Sequence, residues 1–279
     1  MRAGVASVLI LAAVSAALWA QAGGVYLWRG EYKPAESLSE RIRPPEGFRR
    51  AEVPAGSFEA WLRGLPLKPG RPPVLLFDGR KKGNQEAHAA VVDIDVGSKD
   101  LQQCADSVIR LRAEWLYAAK RYAEIHFNFT SGERADFRTW AEGSRPTVRG
   151  NTVTWRKTVA ADSSYPSFRA YLDTVFTYAG TASLNGELAD DADAREMRIG
   201  DVFIHPGTPG HAVIVADVAE QGDAREKVFL LVQGFMPAQE MHVLRNPKDP
   251  KLSPWYRLDL GDALKTPEWT FRWDELKRW

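Results

Sequence analysis

Residues 200–217 read Gly-Asp-Val-Phe-Ile-His-Pro-Gly-Thr-Pro-Gly-His-Ala-Val-Ile-Val-Ala-Asp. Two apolar, β-branched runs flank a short loop of proline and glycine, which predicts a pair of adjacent antiparallel strands over 201–204 and 211–218. His211 opens the second strand behind a glycine that lets backbone or ligand approach closely. A histidine in that place can carry a proton, bind a metal, or sit at a strand end satisfied by backbone.

Working outward, the sequence predicts a third strand over 228–233 and a short one near 240–244. Further strands are expected over 73–78, 89–96, 125–130 and 151–158. Three helices are expected. Ser57–Arg63 is short and capped by Ser57. Asp100–Arg121 carries Val108, Leu111, Trp115 and Leu116 at helical spacing, with Asp100 as its cap and Gln103 three residues on. Ser164–Gly180 has Pro166 in its first turn, where proline is tolerated, and glycine at its end. Strands outnumber helices and close the sequence, so the class is α+β, with a central antiparallel sheet packed by helices.

The chain has 279 residues, 44% hydrophobic and 26% charged, with a formal net charge of +1. That balance gives no field for nucleic acid or anionic lipid, and neither is expected as a partner. Phosphate loops and dinucleotide fingerprints are absent, and no cofactor is expected. Gly79-Arg-Lys-Lys-Gly83 reads as a solvated hairpin tip.

Residues 1–22 hold Arg2, an apolar run from about Val5 to Trp19, and Ala20-Gln21-Ala22, which is the pattern of a cleavable secretory signal. The apolar run is short for a membrane span. Export to the periplasm or medium is therefore expected, with no span after signal removal. Residues 23–45, polar and ending in Pro44-Pro45, read as a linker, and residues 46–279 as one domain. Cys104 is the one cysteine, so no internal disulfide can form. Such a thiol is either a buried small hydrophobe or a nucleophile.

A capped helix, a connector, Gly-Asp before an apolar strand, a turn and a His-led strand resembles the papain-like NlpC-type cell-wall peptidases and the related CHAP amidases. Gly200-Asp201 and His211 match that order over about residues 164–235. Over the mature length, Asp100–Asp106, Tyr178–Leu184, Gly234–Gln239 and Pro254–Tyr256 look like an uncharacterised family of exported bacterial proteins, a domain of unknown function. The first resemblance implies a papain-like fold and hydrolysis of an amide bond, with cell-wall peptide or glycan as the partner. Its chemistry needs a thiolate at a helix N-terminus, a histidine on a strand and a polar side chain that orients it. His211 and Gln233 fit the last two roles. The nucleophile belongs at the start of the helix before Gly-Asp, where this sequence has Ser167, a residue that capping alone explains. Cys104 lies one element block earlier. Either an insertion separates Cys104 from His211, or the site has lost its cysteine and the protein binds without cleaving.

The candidate catalytic residues are Cys104, His211 and Gln233. Asp201 is expected to hold the loop between two strands, and Gln239 and His242 have no assigned role. His205, His211 and Asp201 could in principle bind zinc, but no ligand signature surrounds them and no metal site is expected.

Overall fold

The structure, a computed structural model, describes residues 25–190, 192–222, 226–261 and 263–279. The expected signal segment, residues 1–22, lies outside the described residues.

Six helices are described: α1 (Leu38–Arg41), α2 (Phe58–Arg63), α3 (Cys104–Ala118), α4 (Phe137–Ala141), α5 (Tyr165–Tyr178) and α6 (Thr181–Glu187). Eight strands form one sheet and are numbered along the chain: β1 (Phe48–Arg50), β2 (His88–Val91), β3 (Val202–His205), β4 (His211–Gln221), β5 (Glu226–Gln233), β6 (His242–Leu244), β7 (Tyr256–Arg257) and β8 (Leu276–Lys277). The main order is β8-β3-β4-β5-β6-β2, with β1 on the far end of β4 and β7 on the far end of β5. Every pairing in it is antiparallel. The class is α+β, as expected, and 201–204, 211–218 and 228–233 are neighbours in one sheet.

Helix α3 packs on β4 and β5, and its Val108, Ile109, Leu111 and Leu116 are buried. The expected helix Ser164–Gly180 does not take this place, although the run of helix then Gly-Asp strand suggests it. That helix, α5, instead packs on α4, and Phe168 stacks on Tyr117 of α3 with ring centroids 4.3 Å apart. Among the described residues, the sheet draws no strand from 119–199. That stretch folds into its own hairpins, 126–128 with 134–136 and 144–149 with 152–157, besides α4, α5 and α6. The described residues between α3 and β3 thus fold beside the sheet rather than into it.

Local chemistry accounts for the helix starts. Ser57 Oγ accepts the Ala60 amide at 3.1 Å, and Ser164 Oγ accepts the Ser167 amide at 3.4 Å. Asp100 does not cap α3. Its Oδ1 takes the Ala238 amide at 2.6 Å, and α3 begins at Cys104 with Gln103 as its cap residue. The Gln103 amide donates to Asp106 Oδ2 at 3.1 Å, which is one half of a capping box.

Two buried ion-pair sets fix the layers. Asp217, at a register shift in β4, accepts Arg50 Nε at 2.6 Å and Arg63 Nε at 2.8 Å, tying β1 and α2 to the sheet. Arg110 on α3 is fully buried and donates to Glu114 at 2.6 Å and Gln102 at 2.7 Å.

Residues 25–45, expected as a linker, pack against the domain. Leu38 and Tyr26 are buried, Tyr26 donates to the Trp61 carbonyl at 2.8 Å, and Trp28 donates to the Asp93 carbonyl at 2.6 Å. Aromatic residues in a polar stretch broke no periodic pattern, so the sequence alone did not place them. Likewise 73–78 forms only isolated bridges, Leu75 with Lys81 and Leu76 with Gln239.

Candidate active site

Cys104 is the first residue of α3, not a residue some way into it. Its neighbours come from the sheet. The Ala212 amide acts on the thiol, together with the amides of Ala105 and Cys104 itself. Gly234 lies so close to the first turn of α3 that a Cβ there would meet Ser107 Oγ at 2.1 Å and the Gln103 carbonyl at 2.9 Å. Gln233–Gly234 and His211–Ala212 therefore bracket the helix start, and glycine at 234 permits the approach.

His211 Nε2 and Gln233 Oε1 are 2.9 Å apart. An amide oxygen only accepts, so Nε2 carries the proton and Nδ1 holds the lone pair. Gln233 is itself held at both ends. Its Nε2 donates to Glu268 Oε2 at 2.8 Å and faces His242 Nε2 at 3.2 Å. His242 Nδ1 donates to the Glu240 carbonyl at 2.9 Å, which leaves His242 Nε2 free to accept. Lys82 donates to Glu268 Oε1 at 2.6 Å and lies 4.7 Å from the Phe235 ring centroid. Each hydrogen of this chain has one place to go, so the Gln233 amide cannot flip without stranding partners on both sides. The sheet builds the arrangement: His242 is paired opposite Gln233, which puts their side chains on one face.

Burial sets the charges. Desolvation pushes His211 down to about 4, with Gln233 opposing and the Lys82 cation adding to the fall. The same cause pushes His242 down to about 3. Desolvation, then Asp106, pushes the Cys104 thiol up to about 11, against the amides that pull it down. Asp106 itself is pushed up to about 8 by burial, so its charge is largely absent at neutral pH. The resting pair is therefore a neutral thiol and a neutral imidazole. Neither Sγ nor His211 Nδ1 hydrogen-bonds a side chain among the described residues. Trp269, Phe271 and Phe235 surround the ring, with centroids 5.4, 5.7 and 4.9 Å away.

The remaining candidates go elsewhere. Ser167 is buried and its Oγ faces Trp140 Nε1 at 3.2 Å, a packing role. Asp201 is paired with Arg278 at 2.7 Å and accepts the Arg198 amide at 2.8 Å. His205 is exposed and bonded to Glu275 at 2.6 Å. No group of three or more His, Cys, Asp or Glu able to hold a metal occurs among the described residues. No described helix is long and apolar enough to cross a membrane.

Three contributors escaped the sequence reading. Lys82 was expected on a solvated hairpin tip and is instead buried against Glu268. His242 had no role, although it lies on a strand read from the sequence; the missing information was which strand it pairs with. Glu268 sits between Pro267 and Trp269, and no local pattern sets it apart.

The family model that matches the chain, over residues 38–278, is described as Domain of unknown function (4846). No curated protein matches the chain, and no solved structure matches it.

Proposed function

As the chain belongs to that family, whose description names no reaction, we propose from the site's geometry that it is an exported papain-like cysteine hydrolase acting on amide bonds of cell-envelope peptides. The carrying observation is the hydrogen-bond chain from His242 and Glu268 through Gln233 to His211, which fixes an Nε2–H tautomer and keeps Nδ1 as a base beside the strand that borders Cys104. In this reading Cys104 gives its proton to Nδ1 as sulfur attacks the carbonyl carbon. The amine leaves with that proton. A water, deprotonated by Nδ1, then hydrolyses the thioester, releasing the acid and restoring the thiol. In this reading the amides at the start of α3 receive the oxyanion. The pairing of a high thiol and a low imidazole makes proton transfer concerted with attack, since no resting ion pair forms. The N-terminal signal pattern supports export, and N-terminal sequencing of secreted protein starting near residue 23 would support it further.

The burial of Cys104, 5% exposed, favours a second reading: a cleft that binds envelope peptide or glycan without cutting it. Purified sacculus peptides, incubated with wild type, Cys104→Ala and His211→Ala and followed by mass spectrometry, separate the two. Hydrolysis means new carboxyl termini with wild type alone. Binding without new termini in all three proteins means the second reading.

A further inference from the structure

Arg112 lies on α3 two turns beyond the site, and its guanidinium is set among three aromatic rings. It is 4.7 Å from the Trp115 centroid, 5.0 Å from Phe58 and 5.4 Å from Trp279. No oxygen among the described residues hydrogen-bonds or ion-pairs it, in a chain where most arginines of the core layers are paired. A second guanidinium, Arg121, lies 4.6 Å from the same Trp115 ring. Burial and then the Arg121 charge push Arg112 down to about 10, against the weaker pull of Glu124 and Glu59, neither of which bonds it directly. A partly buried, unpaired arginine is unfavourable for folding, and rings replace only part of its lost hydration. Cavities of about 580 Å³ and about 480 Å³ meet at Arg112 and Trp279. The first also has Arg121 and Arg198 on its wall, and the second His126 and Glu187. These volumes suit a small ligand.

We propose that Arg112 is the anchor of an oxyanion site, taking a carboxylate or phosphate group of a small ligand, separate from the Cys104–His211 centre. The five donors of the guanidinium form a planar fork that a two-oxygen anion matches. The anion relieves the repulsion between Arg112 and Arg121, and the aromatic rings hold the fork in place before it arrives. Glu124 lines the second cavity but its carboxylate is bonded to Arg121, which leaves the Arg112 fork for the ligand.

The test titrates full-length mature protein with inorganic phosphate and, separately, succinate, reading the fluorescence of the tryptophans beside Arg112 at low and high salt. The proposal expects saturable binding of at least one anion, weakened tenfold or more in Arg112→Met and several-fold in Arg112→Lys, and weakened by salt. Phosphate preference assigns a phosphate ligand, and succinate preference assigns a carboxylate. Arg112→Met is expected to keep or raise the melting temperature, because it removes an unpaired charge. If that variant fails to fold, Arg112→Lys carries the comparison. Equal affinities in wild type and the folded variants, or no saturable binding of either anion, overturn the proposal.

Discussion

At the level of single residues, the site depends on which nitrogen of each histidine holds a proton. The acceptors assign them: His211 is an Nε2–H ring and His242 an Nδ1–H ring. Nitrogen-15 NMR of the imidazoles at pH 7 is expected to show those two opposite tautomers, and an Nδ1–H ring at His211 would refute the assignment. Both rings are held neutral by burial, at about 4 and about 3. A histidine depressed in the fold stabilises the protein above its unfolded value near 6.5 and loses that contribution as pH falls through the folded value. His242→Gln should therefore be less stable than wild type at pH 7, and the gap should narrow as pH falls from 6.5 toward 4. A gap that widens on acidification contradicts the account. The thiol behaves in the opposite sense. Raised to about 11, it is mainly protonated below that pH, where it reacts through a thiolate fraction that grows with pH. Alkylation of Cys104 by iodoacetamide should be slow at pH 7 and climb about tenfold per pH unit over the alkaline range. A fast, pH-independent reaction from pH 6 upward would mean an ion pair that the buried geometry does not support. The pairing of His211 with Gln233 was legible in the sequence because the His-led strand and the strand after it could be read locally. Glu268 and Lys82 were not, since they reach the site from loops 186 residues apart in the chain.

Elements carry the next set of consequences. The strands around His211 were legible because alternation and β-branching are local signals. The helix that packs on them was not. Asp100 has the residue type of a helix cap, yet the Ala238 amide claims its carboxylate and the helix starts four residues later, with cysteine at its first position. A tertiary partner overrode a local capping signal, and it moved Cys104 to where a nucleophile could stand. Asp217 is the element-scale test. It joins Arg50 of β1 and Arg63 of α2 to β4 while fully buried. Asp217→Ala leaves two arginines facing an empty site and should cost about 3–5 kcal/mol in urea unfolding, as for a broken buried pair. A loss below about 1 kcal/mol, the range of surface pairs, would show that these elements are held by packing alone.

At the scale of the molecule, the chain is one antiparallel sheet with α3 against it and a block of residues 119–199 folded alongside. The described residues of that block contribute no strand to the main sheet, so Cys104 and the strand of His211 are far apart in the chain while their elements pack together. The N-terminal boundary is also set by packing, since Tyr26 and Leu38 are buried beside Trp61 and Leu65. A chain begun at residue 46 loses those contacts, each worth roughly 2 kcal/mol of apolar burial. It should melt well below a chain begun at residue 23, and equal melting temperatures would make residues 23–45 the linker that their composition suggested. The central claim is that Cys104 and His211 act as one nucleophilic centre. Intact-mass spectrometry of protein quenched during turnover of an activated peptide ester tests it most directly. The account predicts an acyl group on Cys104 in wild type, absent in Cys104→Ala and reduced at least a hundredfold in rate in His211→Ala. No acylation of folded wild type, or acylation at Cys104 that is indifferent to His211, would contradict it.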